Sequence, residues 1–151
     1  MEDEFDLMGN GGRNAMEKVA MVAIYDALTY VEMGQPLNVE DIVSSLLDVP
    51  YSECDPFVKG AMVAFVGHYR EAVTAIEAKM RNWTFARLNR VEQAILLLAY
   101  LHFYYIEPSD DKGIVIDVAI KQAKAYLEPR DYKFVNAILD HVLIKEASDE
   151  R

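Results

Sequence analysis

The sequence predicts an all-α fold, a compact bundle of about six or seven helices, on three observations. Apolar residues recur at spacings of three and four through almost every segment after residue 12. Proline, glycine and helix-capping residues interrupt that pattern where helices should start and stop. No segment alternates apolar and polar residues at period two between hairpin turns, as a strand would.

The elements follow in order. Residues 1–12 end in Met8-Gly9-Asn10-Gly11-Gly12, lack apolar periodicity and read as a flexible acidic tail. A glycine run before a helix can cradle phosphate, but such loops follow a strand, and none is predicted here. Residues 13–147 are expected to form a single helical domain. Its first helix should run from Arg13 to about Met33, with Val19, Val22, Ile24, Leu28 and Val31 in register, and Gly34 and Pro36 should stop it. Asn38 is a good N-cap for a short second helix, with Glu40 and Asp41 in its first turn, where the helix dipole favours acids. Asp55-Pro56 is the next start signal, and helical pattern continues to about Trp83, with a break allowed near Gly67. Asn89-Arg90-Val91-Glu92 resembles a capping box. The helix that it opens is apolar on every face, which places it at the centre of a bundle. Pro108 and Ser109-Asp110-Asp111 turn the chain into a helix from about Lys112 to Tyr126. Pro129 should break it, and the last helix should run from about Asp131 to Lys145.

Composition narrows the function. Hydrophobic residues at 52% and charged residues at 26% describe a globular chain rather than a disordered one. The uncharged apolar run Ala94 to Tyr105, interrupted by His102, is too short to span a bilayer. The acidic start is the opposite of a secretory signal, and one cysteine, Cys54, fits a reducing compartment, so a cytoplasmic location is expected. Net charge is −10, and residues 1–60 hold most of it, with twelve acids against three bases. A general nucleic-acid binder is basic, so any RNA contact must be local and built from the bases that cluster after Arg70.

Candidate chemistry is sparse. His68, His102 and His141 lie in separate segments, none with a second histidine, cysteine or acid at helical ligand spacing, so each reads as a packing or half-exposed histidine and no metal site is expected. Cys54 has no evident partner base and reads as an inert thiol. With no nucleophile–base constellation and no cofactor motif, the chain is expected not to be an enzyme.

The stretch through Trp83, Arg87-Leu88, Val91-Glu92-Gln93-Ala94-Ile95-Leu96, Val115-Ile116-Asp117-Val118-Ala119-Ile120, Ala123-Lys124-Ala125-Tyr126 and Lys133-Phe134-Val135-Asn136-Ala137-Ile138-Leu139-Asp140 resembles the NusB family of transcription antitermination factors. Order, spacing and loop lengths agree, and Arg13…Ala20…Ile24-Tyr25 resembles the family's opening helix. The resemblance implies a NusB-like helical fold and two partners: NusE, a small-subunit ribosomal protein, and with it boxA RNA on nascent ribosomal transcripts, in a complex that acts on RNA polymerase. It also implies an RNA surface made by Arg13, Lys18, Tyr126, Lys133 and Phe134, and a partner surface that includes Glu92. Bases neutralise phosphates and exposed aromatics stack on unpaired bases. A helix-start aromatic can equally pack inward, and Phe134 is open to both roles. Glu92 is likewise open to a capping role.

The chain departs from the family pattern in places. The opening run of several arginines is reduced to Arg13 and Lys18, the Asn-Glu of the penultimate helix becomes Asp117-Val118, and the glycine of the last motif becomes Ala137. The acid before the last helix meets Arg130-Asp131. Each lost phosphate contact lowers RNA affinity. The alternative reading is therefore a divergent NusB-fold protein-interaction module or homodimer that has lost RNA binding.

Overall fold

The computed structural model describes residues 12–145, and among them it has six α-helices and no strand. They are α1 (Arg13–Glu32), α2 (Val39–Leu47), α3 (Pro56–Glu77), α4 (Arg90–Leu101), α5 (Lys112–Tyr126) and α6 (Pro129–Val142). Short 3-10 turns occupy Tyr51–Glu53 and Phe85–Arg87, and a π-helical turn, His102–Ile106, continues α4. The expected acidic tail lies almost wholly outside the described residues.

Most helix starts form as the local chemistry dictates. Asn38 Oδ1 accepts the Asp41 N–H at 3.0 Å, and Asn89 Oδ1 accepts that of Glu92 at 2.8 Å. Asp55 Oδ2 accepts from Phe57 and Val58, and Asp111 Oδ1 from Ile114. Each bond satisfies an orphan donor of a first helical turn, an arrangement that contributes about 1 kcal/mol at each cap. The third and the last helix differ in extent from the sequence expectation. The third helix passes Gly67 without a break and ends at Glu77 rather than near Trp83. Residues 81–84 leave helical geometry, with Asn82 at a φ of 55°, before the 3-10 turn at Phe85–Arg87. The last helix begins at Pro129, not Asp131, because proline costs nothing at the first helical position, where no intrahelical N–H bond is needed.

The chain divides into two compact units after Tyr69. In the first, α1 packs on α2, and the apolar faces carrying Ile24, Ala27, Val43, Leu47, Val58, Met62 and Phe65 are buried. The Arg13 guanidinium lies over the Phe57 ring, 4.0 Å from its centroid, which joins the starts of α1 and α3. Asp48 ends α2 in the left-handed region with a φ of 56°.

In the second unit, α4 packs against both α5 and α6, which also pack on each other. Every residue from Glu92 to Leu101 is buried, as the uniformly apolar pattern predicts. Tyr100 and Tyr105 both donate to the Glu71 carboxylate at 2.6 Å. Burial and this anionic acceptor hold the Tyr100 hydroxyl well above the usual phenol range. Tyr104 Oη donates to the Val142 carbonyl at 2.9 Å and accepts the Ile144 N–H at 3.0 Å, tying the end of α6 to the π-helical turn.

Candidate functional site

The starts of α4 and α6 lie beside residues 81–88, and a groove of about 350 Å³ opens among them. Arg81, Trp83, Leu88, Glu92, Arg130, Asp131 and Phe134 line it. Residues 81–88 are anchored from below. Gln93 is buried and its Nε2 donates to the Phe85 carbonyl at 2.9 Å, while Glu77 Oε2 accepts the Phe85 N–H at 2.7 Å. Phe85 itself is buried, so the turn is pinned on one side and presents Trp83 on the other. Trp83 is 44% exposed, and the Arg87 guanidinium sits 4.3 Å from its ring centroid. That stacking fixes a flat aromatic surface beside the groove.

Glu92 is the electrostatic anomaly of the site. It is 5% exposed, and burial, reinforced by the negative charge of Asp131, pushes its carboxyl up to about 7. A buried carboxyl with a raised pKa favours folding when protonated, so its contribution is complete below about pH 4.5 and is lost as pH rises through 7. Stability should therefore fall between pH 4.5 and 7 on account of this group. Glu92→Gln is expected to remove that slope and to be more stable than the parent above pH 7. The gain should be about 2 kcal/mol, less than the whole shift implies because the groove is open to water. Urea titrations at pH 5 and pH 8 check this, and equal differences between variant and parent at the two pH values would refute it.

The structure redistributes the site residues expected from sequence. Glu92 and Phe134, read as members of two different surfaces, line one groove. Phe134 is half-buried, so it neither disappears into the core nor stands free. Lys133, its neighbour, and Tyr126, at the end of α5, are exposed but are not among the groove's lining residues. Arg13 and Lys18 belong to the first unit. There Arg13 Nε is paired with Glu17 Oε2 at 3.0 Å in addition to its stacking on Phe57. Arg81, Trp83, Leu88, Arg130 and Asp131 also line the groove although none is among the expected site residues, since only the fold brings them together with Glu92 and Phe134. Arg130-Asp131, a base and an acid at a helix start, was the available signal.

Two further features complete the survey. A groove of about 570 Å³ in the first unit, at the end of α1 and on α2, has Tyr30, Met33, Ile42 and Leu46 on its surface with Asp26 and Asp41 beside them. No lysine or arginine lines it, so it would repel phosphate. Burial holds the Asp26 carboxyl above its ordinary value. His102 has neighbours that helical spacing does not show. It is buried, and its Nε2 lies 2.9 Å from Asp110 Oδ2 and 3.2 Å from Glu107 Oε1, although no acid stood at helical ligand spacing. Cys54 matches the inert-thiol reading, being buried with its thiol pushed up chiefly by desolvation.

The structure is all-α among the described residues, with a groove in its second unit lined by two aromatic rings and by charges of both signs. The sequence pattern of the NusB family matches residues 19–143, and the chain belongs to that family. Among curated relatives, "Transcription antitermination protein NusB" of Ligilactobacillus salivarius is 31% identical over 133 residues, 87% of this chain and 97% of that protein. The protein of the same name from Elusimicrobium minutum is 28% identical over 134 residues, 87% of this chain and 93% of that one. The solved structure of T. maritima NusB superposes with a TM-score of 0.72 at 24% identity, covering 92% of this chain and 95% of that chain, a likeness of fold. Among the described residues, no helix is long and apolar enough to cross a membrane.

Proposed function

We propose that this chain is a transcription antitermination factor that binds NusE and, with it, boxA-type RNA on nascent ribosomal transcripts, so acting indirectly on RNA polymerase. The observation that carries the reading is the groove that unites Trp83 and Phe134 with Arg81 and Arg130 on a NusB-family frame. Unpaired RNA bases are recognised by stacking on aromatic rings, while guanidinium groups neutralise the flanking phosphates. Arg13 and Lys18 in the first unit, and Tyr126 and Lys133 in the second, are each proposed as further RNA contacts, and Glu92 as a contact of the protein partner. The acid-lined groove at the end of α1 suits NusE, a ribosomal and hence basic protein, and the excess of acids in residues 1–60 would steer that encounter.

One observation favours the second reading, a protein-interaction module or homodimer without RNA binding. Asp131 and, when ionised, Glu92 share the groove with its two arginines, which lowers its attraction for phosphate. Anisotropy titrations of fluorescent boxA RNA with this chain, alone and with NusE, at two salt concentrations test the proposal. Salt-sensitive RNA binding that strengthens at least tenfold when NusE is added is the expected result. NusE binding with no gain in RNA affinity would leave the protein-only module, and binding to neither partner would sink both assignments.

A further inference from the structure

We propose that His102, Glu107 and Asp110 form a binding site for a divalent transition-metal ion, zinc being the ion that their donor set fits best. The three residues offer one imidazole nitrogen and two carboxylate oxygens, and these atoms all lie within 4.8 Å of one another. Magnesium and calcium prefer oxygen-only shells, whereas an imidazole joined to carboxylates suits zinc and its neighbours. Tetrahedral zinc with bonds of about 2.0–2.2 Å places its ligand atoms roughly 3.3–3.6 Å apart. The observed 2.9 Å between His102 Nε2 and Asp110 Oδ2, and 3.2 Å to Glu107 Oε1, need to open by only a few tenths of an ångström.

Burial divides the site in a useful way. The His102 side chain is 1% exposed, whereas those of Glu107 and Asp110 are 33% and 29% exposed. The nitrogen is thus fixed within the π-helical turn, while the oxygens leave a path from solvent and room for a water in the fourth position. Helical spacing could not reveal this trio, because the acids follow His102 by five and eight residues across a turn. The π-helical turn and the 107–111 connection fold them back, and π-turns recur at functional sites. Lys145 Nζ bonds the Pro108 carbonyl at 3.1 Å, so this cation is engaged by the backbone of the connection. An ion here would clasp the link between α4 and α5. Without it, the Nε2–H donated to the same carboxylates closes the link more weakly.

The site is independent of RNA or NusE binding, and its test uses the full chain after dialysis against a chelator. Titration with ZnCl2 by calorimetry at pH 7 is expected to show saturable binding at this site and a rise in Tm, with no rise from MgCl2. Glu107→Gln and Asp110→Asn, both at part-exposed positions, should each weaken zinc binding about tenfold or more and remove the Tm rise. His68→Gln should leave both unchanged. Cobalt substitution should give the visible absorption of a tetrahedral nitrogen–oxygen site, lost in Asp110→Asn. No saturable zinc binding, or zinc binding that both acid variants leave intact, would overturn the proposal and leave the trio as a hydrogen-bonded clasp.

Discussion

Replacing Leu97 by alanine is expected to destabilise the protein by about 3 kcal/mol. Leu97 is fully buried at the middle of α4, between Leu96 and Leu98, which are also buried, and its helix packs on both α5 and α6. The mutation removes the transfer energy of the lost methyl groups and leaves a cavity. Collapse into that cavity is hindered because both ends of α4 are held. Asn89 caps its start, and the Tyr100 and Tyr105 hydroxyls tie its far end to Glu71. Urea denaturation measures the loss, with Ile114→Ala as the control, since Ile114 is 48% exposed and should shift stability by less than about 1 kcal/mol. Similar small losses at both positions would mean that α4 is not the close-packed centre of its unit.

Phe134→Ala is expected to lower RNA affinity by about ten- to a hundredfold in the presence of NusE, the range of one lost base–aromatic stack. The variant's salt dependence is the sharper readout. Phe134 carries no charge, so affinity should fall at every salt concentration with the slope unchanged. Lys133→Ala should do the reverse, lowering the slope of log affinity against log salt by about one through loss of a phosphate contact. Trp83→Ala should resemble Phe134→Ala if both rings serve one RNA strand. Because Phe134 is half-buried, a melting curve for the variant separates lost packing from lost stacking. A folded Phe134→Ala protein with parental RNA affinity would remove this groove from the RNA surface.

The helical segments were legible because each carries its own local instructions. Asn38, Asp55, Asn89 and Asp111 satisfy the first-turn donors of the helices they precede, and α4 announces its central place by being apolar all round. Those signals act over three or four residues, within reach of a sequence pattern. Boundaries were lost where a longer-range contact overrode local propensity. Residues 81–88 leave the helix to be held by Glu77 and Gln93, each eight residues from Phe85.

The site divides along the same line. The residue types that could stack on bases or bind phosphate, and the family to which they point, could be read from order and spacing alone. Their assembly could not. Glu92 and Phe134 are forty-two positions apart in sequence and share a groove because α4 and α6 pack together. Glu92 has a carboxyl raised to about 7 because that packing removes water from it and sets Asp131 nearby. The His102, Glu107 and Asp110 trio was hidden for the same reason, since a π-helical turn changes the spacing at which side chains meet. The sequence by itself determined an all-α chain, because capping and apolar periodicity are local, and the resemblance of its motifs pointed to the NusB family. Tertiary packing alone decided which polar groups share a groove and how strongly each holds its proton, because burial and long-range proximity arise only when separate helices come together.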